Sequence, residues 1–203
     1  MKTMTLWQLE MIPWYVFGAY WGITWFRTKR TKAREKSADR LITVAVVVLG
    51  YELLFAGWLR IGPLRLRFVP DEPWIAWSGI ALTWVGVTVA VWARYCLGVF
   101  WSARVTLKEG HQLIRTGPYA FIRHPIYTGM LLGCIGATLV VGEWRGVAAV
   151  MLLLAAHSRK ALREERFLTQ EFGEAYLSYR RSTGFLFPRL WARWRMDTRI
   201  AGS

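Results

Sequence analysis

The chain has 203 residues, 54% of them apolar, with 13 tryptophans and with 27 lysines and arginines against 13 acids. That hydrophobicity excludes a disordered chain, and two cysteines, Cys96 and Cys134, are too few for a secreted disulfide scaffold and read as packing thiols. The net charge of +14 is gathered between long apolar runs instead of being spread along one face, which excludes a soluble nucleic-acid binder.

A hydrocarbon core of about 30 Å takes about 20 helical residues to cross. The first apolar run, Leu6–Phe26, is interrupted only by Gln8 and Glu10. It is too long and aromatic for a signal peptide and lacks a small-residue cleavage site, so it reads as a retained helix. Leu41–Trp58 follows with one charge, Glu52, and Trp74–Ala93 has none. Ile126–Val141 and Trp144–Ala156 are shorter and are parted by Gly142-Glu143, which reads as a tight helical hairpin. These runs are continuous, not alternating, so helices are expected and not a barrel. The expected fold is therefore all-α, a polytopic membrane protein with about five transmembrane helices and a cytosolic C-terminal helical region. Residues 1–93 would hold three helices with their loops, and residues 94–203 the catalytic region.

Basic residues set the orientation. Arg27–Arg40 holds seven lysines or arginines, Arg94–Arg123 five and Arg159–Arg199 ten, while the other side receives Lys2, Arg60, Arg65, Arg67 and Arg145. Positive charge stays inside, so the N-terminus is expected outside and the C-terminus in the cytosol. Trp7, Trp58, Trp74, Trp101 and Trp144 fall near run ends, as an interfacial belt requires. Glu52 has two readings: a functional intramembrane carboxylate, or a structural acid that pairs with an arginine such as Arg94 or stays protonated on a backbone carbonyl.

Two polar stretches flank the hairpin. In Leu107–Gly129, Gly110, Gly117, Pro118 and Pro125 are interspersed with His111, Tyr119, Arg123, His124 and Tyr127. Glycine and proline at that density forbid a regular helix and fix turns, which makes an anion cradle at the start of a span. In His157–Arg181 the fifth helix must continue past its apolar run, because 13 residues reach only about 20 Å. His157, Lys160 or Ala161, and Glu164 then share one face, and Glu164-Glu165 puts two acids beside a basic cluster. A solvated helix with i,i+4 ion pairs is the plainer reading of that spacing.

The string GPYAFIRHPIYTG (Gly117–Gly129), an apolar hairpin and then REERFLTQEFGEAYLSYRR (Arg163–Arg181) resemble the isoprenylcysteine carboxyl methyltransferases and the related phospholipid N-methyltransferases. The resemblance covers roughly residues 95–188. It implies an integral-membrane methyltransferase using S-adenosylmethionine near the cytosolic face, with membrane lipids and a lipophilic or lipidated acceptor as partners and no nucleic acid. Carried over, Tyr119, Arg123, His124, Pro125, Tyr127 and Gly129 border the cofactor, with His111 and Gly117 on the same loop, and Glu164 and Glu165 lie on its other side. Arg123 or His124 would hold the cofactor carboxylate, and Glu164 or Glu165 its ammonium or ribose hydroxyls. Arg159, Lys160 or Arg163, with Glu164 beside them, would orient an acceptor carboxylate.

Methyl transfer asks for alignment and exclusion of water, not for a nucleophilic triad. The sequence has neither a Ser-His-Asp set nor metal-ligand spacing, and no G-x-G-x-x-G after a strand. An isoprenylcysteine-like carboxylate is the expected acceptor, with a phospholipid amine as alternative. From other classes, an NADPH-dependent sterol-type reductase and a non-catalytic membrane protein are the rivals.

Overall fold

The computed structural model describes residues 4–25, 31–34, 37–101, 106–108 and 113–189. Six α-helices follow one another: α1 (Leu6–Trp25), α2 (Ser37–Phe55), α3 (Pro73–Leu97), α4 (Pro125–Val141), α5 (Trp144–Phe172) and α6 (Glu174–Ser182). The five long helices coincide with the five apolar runs. The all-helical expectation gains one addition, a short antiparallel pairing of β1 (Thr31–Arg34) with β2 (Thr106–Lys108). That ribbon puts the α1–α2 and α3–α4 connections at the same end of the bundle.

Local chemistry sets the helix ends. Pro73 opens α3 and Pro125 opens α4, each at a position whose N–H has no intrahelical partner. Gly142 stops α4 in the left-handed region (φ +69°), and its N–H bonds to the Thr138 carbonyl at 2.8 Å. Glu143 then caps α5, which runs 29 residues without a break. At 1.5 Å per residue it is roughly 43 Å long, so it carries the chain from the apolar hairpin well into the polar cluster.

The core of the bundle is an antiparallel contact of α3 and α4 through small residues. A Cβ on Gly129 would lie 2.5 Å from the Gly86 carbonyl oxygen and 2.6 Å from the Ala90 nitrogen. The backbones thus approach as closely as in small-xxx-small membrane packing. α2 lies on α5, with Leu54, Ala149 and Leu153 fully buried between them. α1 crosses this core, and Trp14 covers Gly133.

Large apolar side chains face outward, among them Trp74, Trp77, Trp84 and Trp92 on α3. Among the described residues, α3 is the one helix both long and apolar enough to cross a membrane by length and composition, while Leu41–Phe55 and α4 are shorter apolar helices.

Away from the ribbon, charges assigned above only to topology do structural work. The Arg145 Nη1 donates to the carbonyls of Leu53 (2.8 Å) and Leu54 (3.0 Å), where α2 ends, and its Nε donates to Glu143 at 2.7 Å. Arg60 joins Glu143 at 2.5 Å, and Arg67 donates to the Val141 carbonyl. The proposed pairing of Glu52 with Arg94 is not what forms. Glu52 is exposed, while Arg94 donates to the carbonyls of Gly98 (2.8 Å) and Thr24 (2.9 Å) and lies over the Trp101 ring. The carboxylate buried in the bundle is Glu10, 0% exposed, accepting from Thr83 Oγ1 at 2.8 Å and Trp14 Nε1 at 3.2 Å.

Candidate functional site

At the polar end of α5 three pieces of chain converge. Gly117–Ala120 makes one 3-10 turn, with Gly117 at φ +58°, and leads to Arg123-His124 just ahead of Pro125. A residue before proline is biased away from the helical region, so this short segment is extended enough to pair with the chain after α6. The Arg123 N–H donates to the Gly184 carbonyl (2.9 Å), His124 N–H to that of Phe185 (3.3 Å) and Gly184 N–H to that of Phe121 (3.0 Å). Thr128 Oγ1 adds a bond to the Leu186 carbonyl at 2.6 Å. Residues 183–186 therefore form a strap across the loop.

α5 supplies the acids. Adjacent helical residues point about 100° apart, which lets both carboxylates reach one imidazole. His124 Nε2 lies 3.2 Å from Glu165 Oε1, and Nδ1 lies 3.6 Å from Glu164 Oε2. With both ring nitrogens aimed at carboxylates, the protonated form of His124 is favoured. Burial opposes the charge, but the bonds to Glu164 and Glu165 outweigh it and hold the pKa above the ordinary 6.5. The converse holds for the acids: burial favours their neutral forms, yet His124 with Lys160 and Tyr127 at Glu164, and with Arg123 at Glu165, pull both below the usual carboxylate range.

The two acids are not equivalent. Glu165 is buried and meets three cations: Arg123 Nε at 2.6 Å, His124 and Arg180 Nε at 3.6 Å. Arg123 also donates from Nη1 to the carbonyls of Thr183 (2.5 Å) and Arg180 (3.2 Å). Glu164 keeps more exposure, with a strong bond from Tyr127 OH at 2.6 Å and the longer His124 contact on its other oxygen. Glu165 is the pin that closes the strap, and Glu164 is the more exposed of the two acids.

An aromatic layer lies beside the acids. The Tyr127 ring stacks on His157, with centroids 5.0 Å apart and planes at 13°, and runs nearly parallel to His124 at 5.8 Å. Lys160 Nζ lies 5.5 Å from the Tyr127 ring centre. His157 is buried, and its Nε2 has no hydrogen-bond partner among the described residues. Burial first and Lys160 second push its pKa down to about 4, so it is neutral at pH 7.

Of the residues chosen from the sequence, Arg123, His124, Tyr127, Glu164 and Glu165 come together, with Lys160 at the edge. Gly129 faces α3 at the close approach described above. Gly117 turns against Cys96, Pro125 is buried at the head of α4, and Tyr119 is buried with its carbonyl accepting from Tyr179 OH at 2.7 Å. Arg159 is exposed, and Arg163 Nη2 donates to Thr43 Oγ1 of α2 at 2.6 Å. His111 lies outside the described residues. The sequence reading left out Arg180 and the strap, and it placed His157 on the correct face without giving it a role.

A family model described as phospholipid methyltransferase matches residues 74–175, which take in α3, α4, α5 and the acid pair. A cobalt-zinc-cadmium resistance protein, CzcN, of Cupriavidus metallidurans is 31% identical over 121 residues, 59% of this chain and 54% of its own length. Methanethiol S-methyltransferase 2 of Bradyrhizobium diazoefficiens is 30% identical over 162 residues, 72% of this chain and 58% of its own. A protein-S-isoprenylcysteine O-methyltransferase of Schizosaccharomyces pombe is 32% identical over 74 residues, 36% of this chain and 31% of its own. The chain thus spans little more than half the length of the first two relatives.

Proposed function

The chain belongs to the phospholipid methyltransferase family, and from that premise we propose that it is an integral-membrane, S-adenosylmethionine-dependent methyltransferase acting on a lipophilic acceptor. The observation that carries this reading is the convergence of RHPIYTG and REE, 40 residues apart in sequence, into one hydrogen-bonded cluster within the matched region. In this reading α1 to α5 cross the bilayer with the N-terminus outside, and the cluster lies at the cytosolic face.

The donor set suits the cofactor. Its amino-acid end carries one carboxylate and one ammonium, and the cluster holds acids and cations side by side. Glu164 would take the ammonium, and Arg180 or Lys160 the carboxylate, while Glu165, Arg123 and His124 keep the loop and strap in place. When bound, S-adenosylmethionine supplies an already activated methyl group, so the chain's task is to align the acceptor and exclude water. Prenylcysteine carboxylates, phospholipid amines and thiols are the acceptor classes that the relatives and the resemblance bring forward.

Thermal unfolding of the purified, detergent-solubilised protein with S-adenosylhomocysteine tests the reading. A ligand that binds only the folded state stabilises by about 2.7 kcal/mol at a hundredfold excess over Kd. A rise in Tm with S-adenosylhomocysteine and none with NADPH is expected. No rise at millimolar S-adenosylhomocysteine, with a clear rise on NADPH, would replace the methyltransferase by a reductase.

A further inference from the structure

We propose that the Tyr176 hydroxyl and the Arg180 guanidinium, one turn apart on α6, are a binding pair that seats the carboxylate at the amino-acid end of the cofactor. This rests on the methyltransferase reading above and deepens it: Tyr176 joins the site, and Arg180 rather than Lys160 becomes the carboxylate's partner.

Tyr176 is fully buried, and its hydroxyl has no hydrogen-bond partner among the described residues. A buried polar atom left bare costs roughly five- to a hundredfold in the folding equilibrium. The neighbouring phenol shows the ordinary solution, since Tyr179 OH donates to the Tyr119 carbonyl at 2.7 Å. The fold gains nothing from the oxygen at 176, because a phenylalanine would keep the ring and avoid that cost. Burial first and the Glu165 carboxylate second push the pKa of the phenol up, so it keeps its proton and can donate.

The hydroxyl lies within the polar cluster, where Glu165, Arg123, Tyr179 and Glu164 all act on it. Residues four apart share a helix face, and Arg180 accordingly turns to the same acid. Its Nε stands 3.6 Å from Glu165 Oε2, too long for a hydrogen bond, and 54% of its side chain is exposed. The other oxygen of Glu165 is taken by Arg123 at 2.6 Å and His124 at 3.2 Å. A loosely held arginine beside a sealed hydroxyl gives an anion a mobile first contact and a fixed second one.

Charge gives the sign of the ligand. Glu164 and Glu165 face Arg123, Arg180 and His124 in its favoured protonated form. Two acids against three bases leave a positive excess, even before Lys160, which acts on Glu164, is counted. A single carboxylate offsets that excess and accepts a charge-assisted bond from each donor. The ammonium borne on the same carbon then falls to Glu164, which also acts on the Tyr176 hydroxyl. Both charges of the amino-acid end are thus met side by side.

Equilibrium binding to the detergent-solubilised full chain tests the pair, with S-adenosylhomocysteine and its decarboxylated analogue, which keeps the ammonium, as probes. The parent should bind S-adenosylhomocysteine at least about tenfold more tightly than the analogue. Tyr176→Phe and Arg180→Gln should each weaken S-adenosylhomocysteine about tenfold and leave the analogue within about twofold, so that the preference collapses. Without ligand, Tyr176→Phe should unfold at the parent's Tm or above it, because it loses only an unpaired hydroxyl. A Tyr176→Phe protein less stable than the parent has lost a bond within the fold, and that result overturns the proposal. So does a parent without the preference, or a preference that survives unchanged in either variant. Equal weakening of both probes overturns it as well, since the pair then serves another part of the ligand. Failure of the methyltransferase reading looks different: S-adenosylhomocysteine then does not bind the parent protein at all.

Discussion

Replacing Glu165 by glutamine keeps the shape of the side chain and removes its charge. In the parent, Glu165 and Arg123 are 6% and 9% exposed at their side chains and 2.6 Å apart, and the same oxygen takes His124 at 3.2 Å. Removing one partner of a buried ion pair costs about 3–5 kcal/mol, because the remaining charge stays out of water. Arg123 keeps the carbonyls of Thr183 and Arg180, which sets the expectation at the lower end, about 3 kcal/mol, or about a hundredfold in the unfolding equilibrium. Glu164→Gln is the control. Its main bond, from Tyr127 OH, survives on an amide oxygen, so about 1 kcal/mol is expected. Denaturant or thermal unfolding of both variants, each with and without S-adenosylhomocysteine, gives four numbers. Glu165→Gln should lose stability and keep most of the ligand-induced shift, whereas Glu164→Gln should stay stable and lose that shift. The opposite order would refute the division between a pinning acid and a ligand-facing acid.

The contribution of the polar cluster to stability should peak near pH 6.5. The raised His124 contributes fully below its unfolded value of 6.5 and is lost as pH climbs through its folded value, whereas Glu164 and Glu165, both lowered, contribute above 4.5 and are lost as pH falls through theirs. His157, held near 4, adds an acid-side loss that begins at 6.5 and reaches about 3 kcal/mol by pH 4; unfolding of His157→Gln across that range should show the acid limb starting only below 4.5. Gly86→Val should cost at least about 1–3 kcal/mol by the same assay, since any Cβ there meets the backbone of Gly133 and Gly129, and a Gly86 variant as stable as the parent would refute the close α3–α4 approach.

Much of the helical frame was legible because uninterrupted apolar runs leave few other structures open to a backbone. The tight turn at Gly142 and the continuation of α5 beyond Ala156 followed from glycine and from length. The meeting of Arg123-His124 with Glu164-Glu165 was legible only through the resemblance, since nothing in either stretch alone names its partner. The two acids within the apolar runs of α1 and α2 show where reading failed. Glu52 stands alone in the middle of its run and drew attention, yet it is exposed, while Glu10, near the start of its run, is fully enclosed. A helix apolar on all sides carries no stripe to say which face packs, so the environment of a single charge on it depends on tertiary contacts. The strap at 183–186 was invisible for a related reason: its contacts are backbone groups, which have no residue signature.

That strap also dictates an order of events during synthesis. α1 to α5 can leave the ribosome and pair before residue 183 exists, but Arg123 then lacks the Thr183 carbonyl and His124 the Phe185 carbonyl. The loop and its closing partners are separated by about sixty residues, and contacts of that span form late because a long stretch must be ordered first. A nascent chain therefore passes through a stage in which its helices are assembled while Arg123 and His124 lie partly uncovered beside two carboxylates. In the proposed reading, binding competence arrives with the few residues that follow α6. A reporter sensitive to S-adenosylhomocysteine should stay silent on ribosome-held chains that expose residues up to 175 and respond once residue 186 has cleared the exit tunnel.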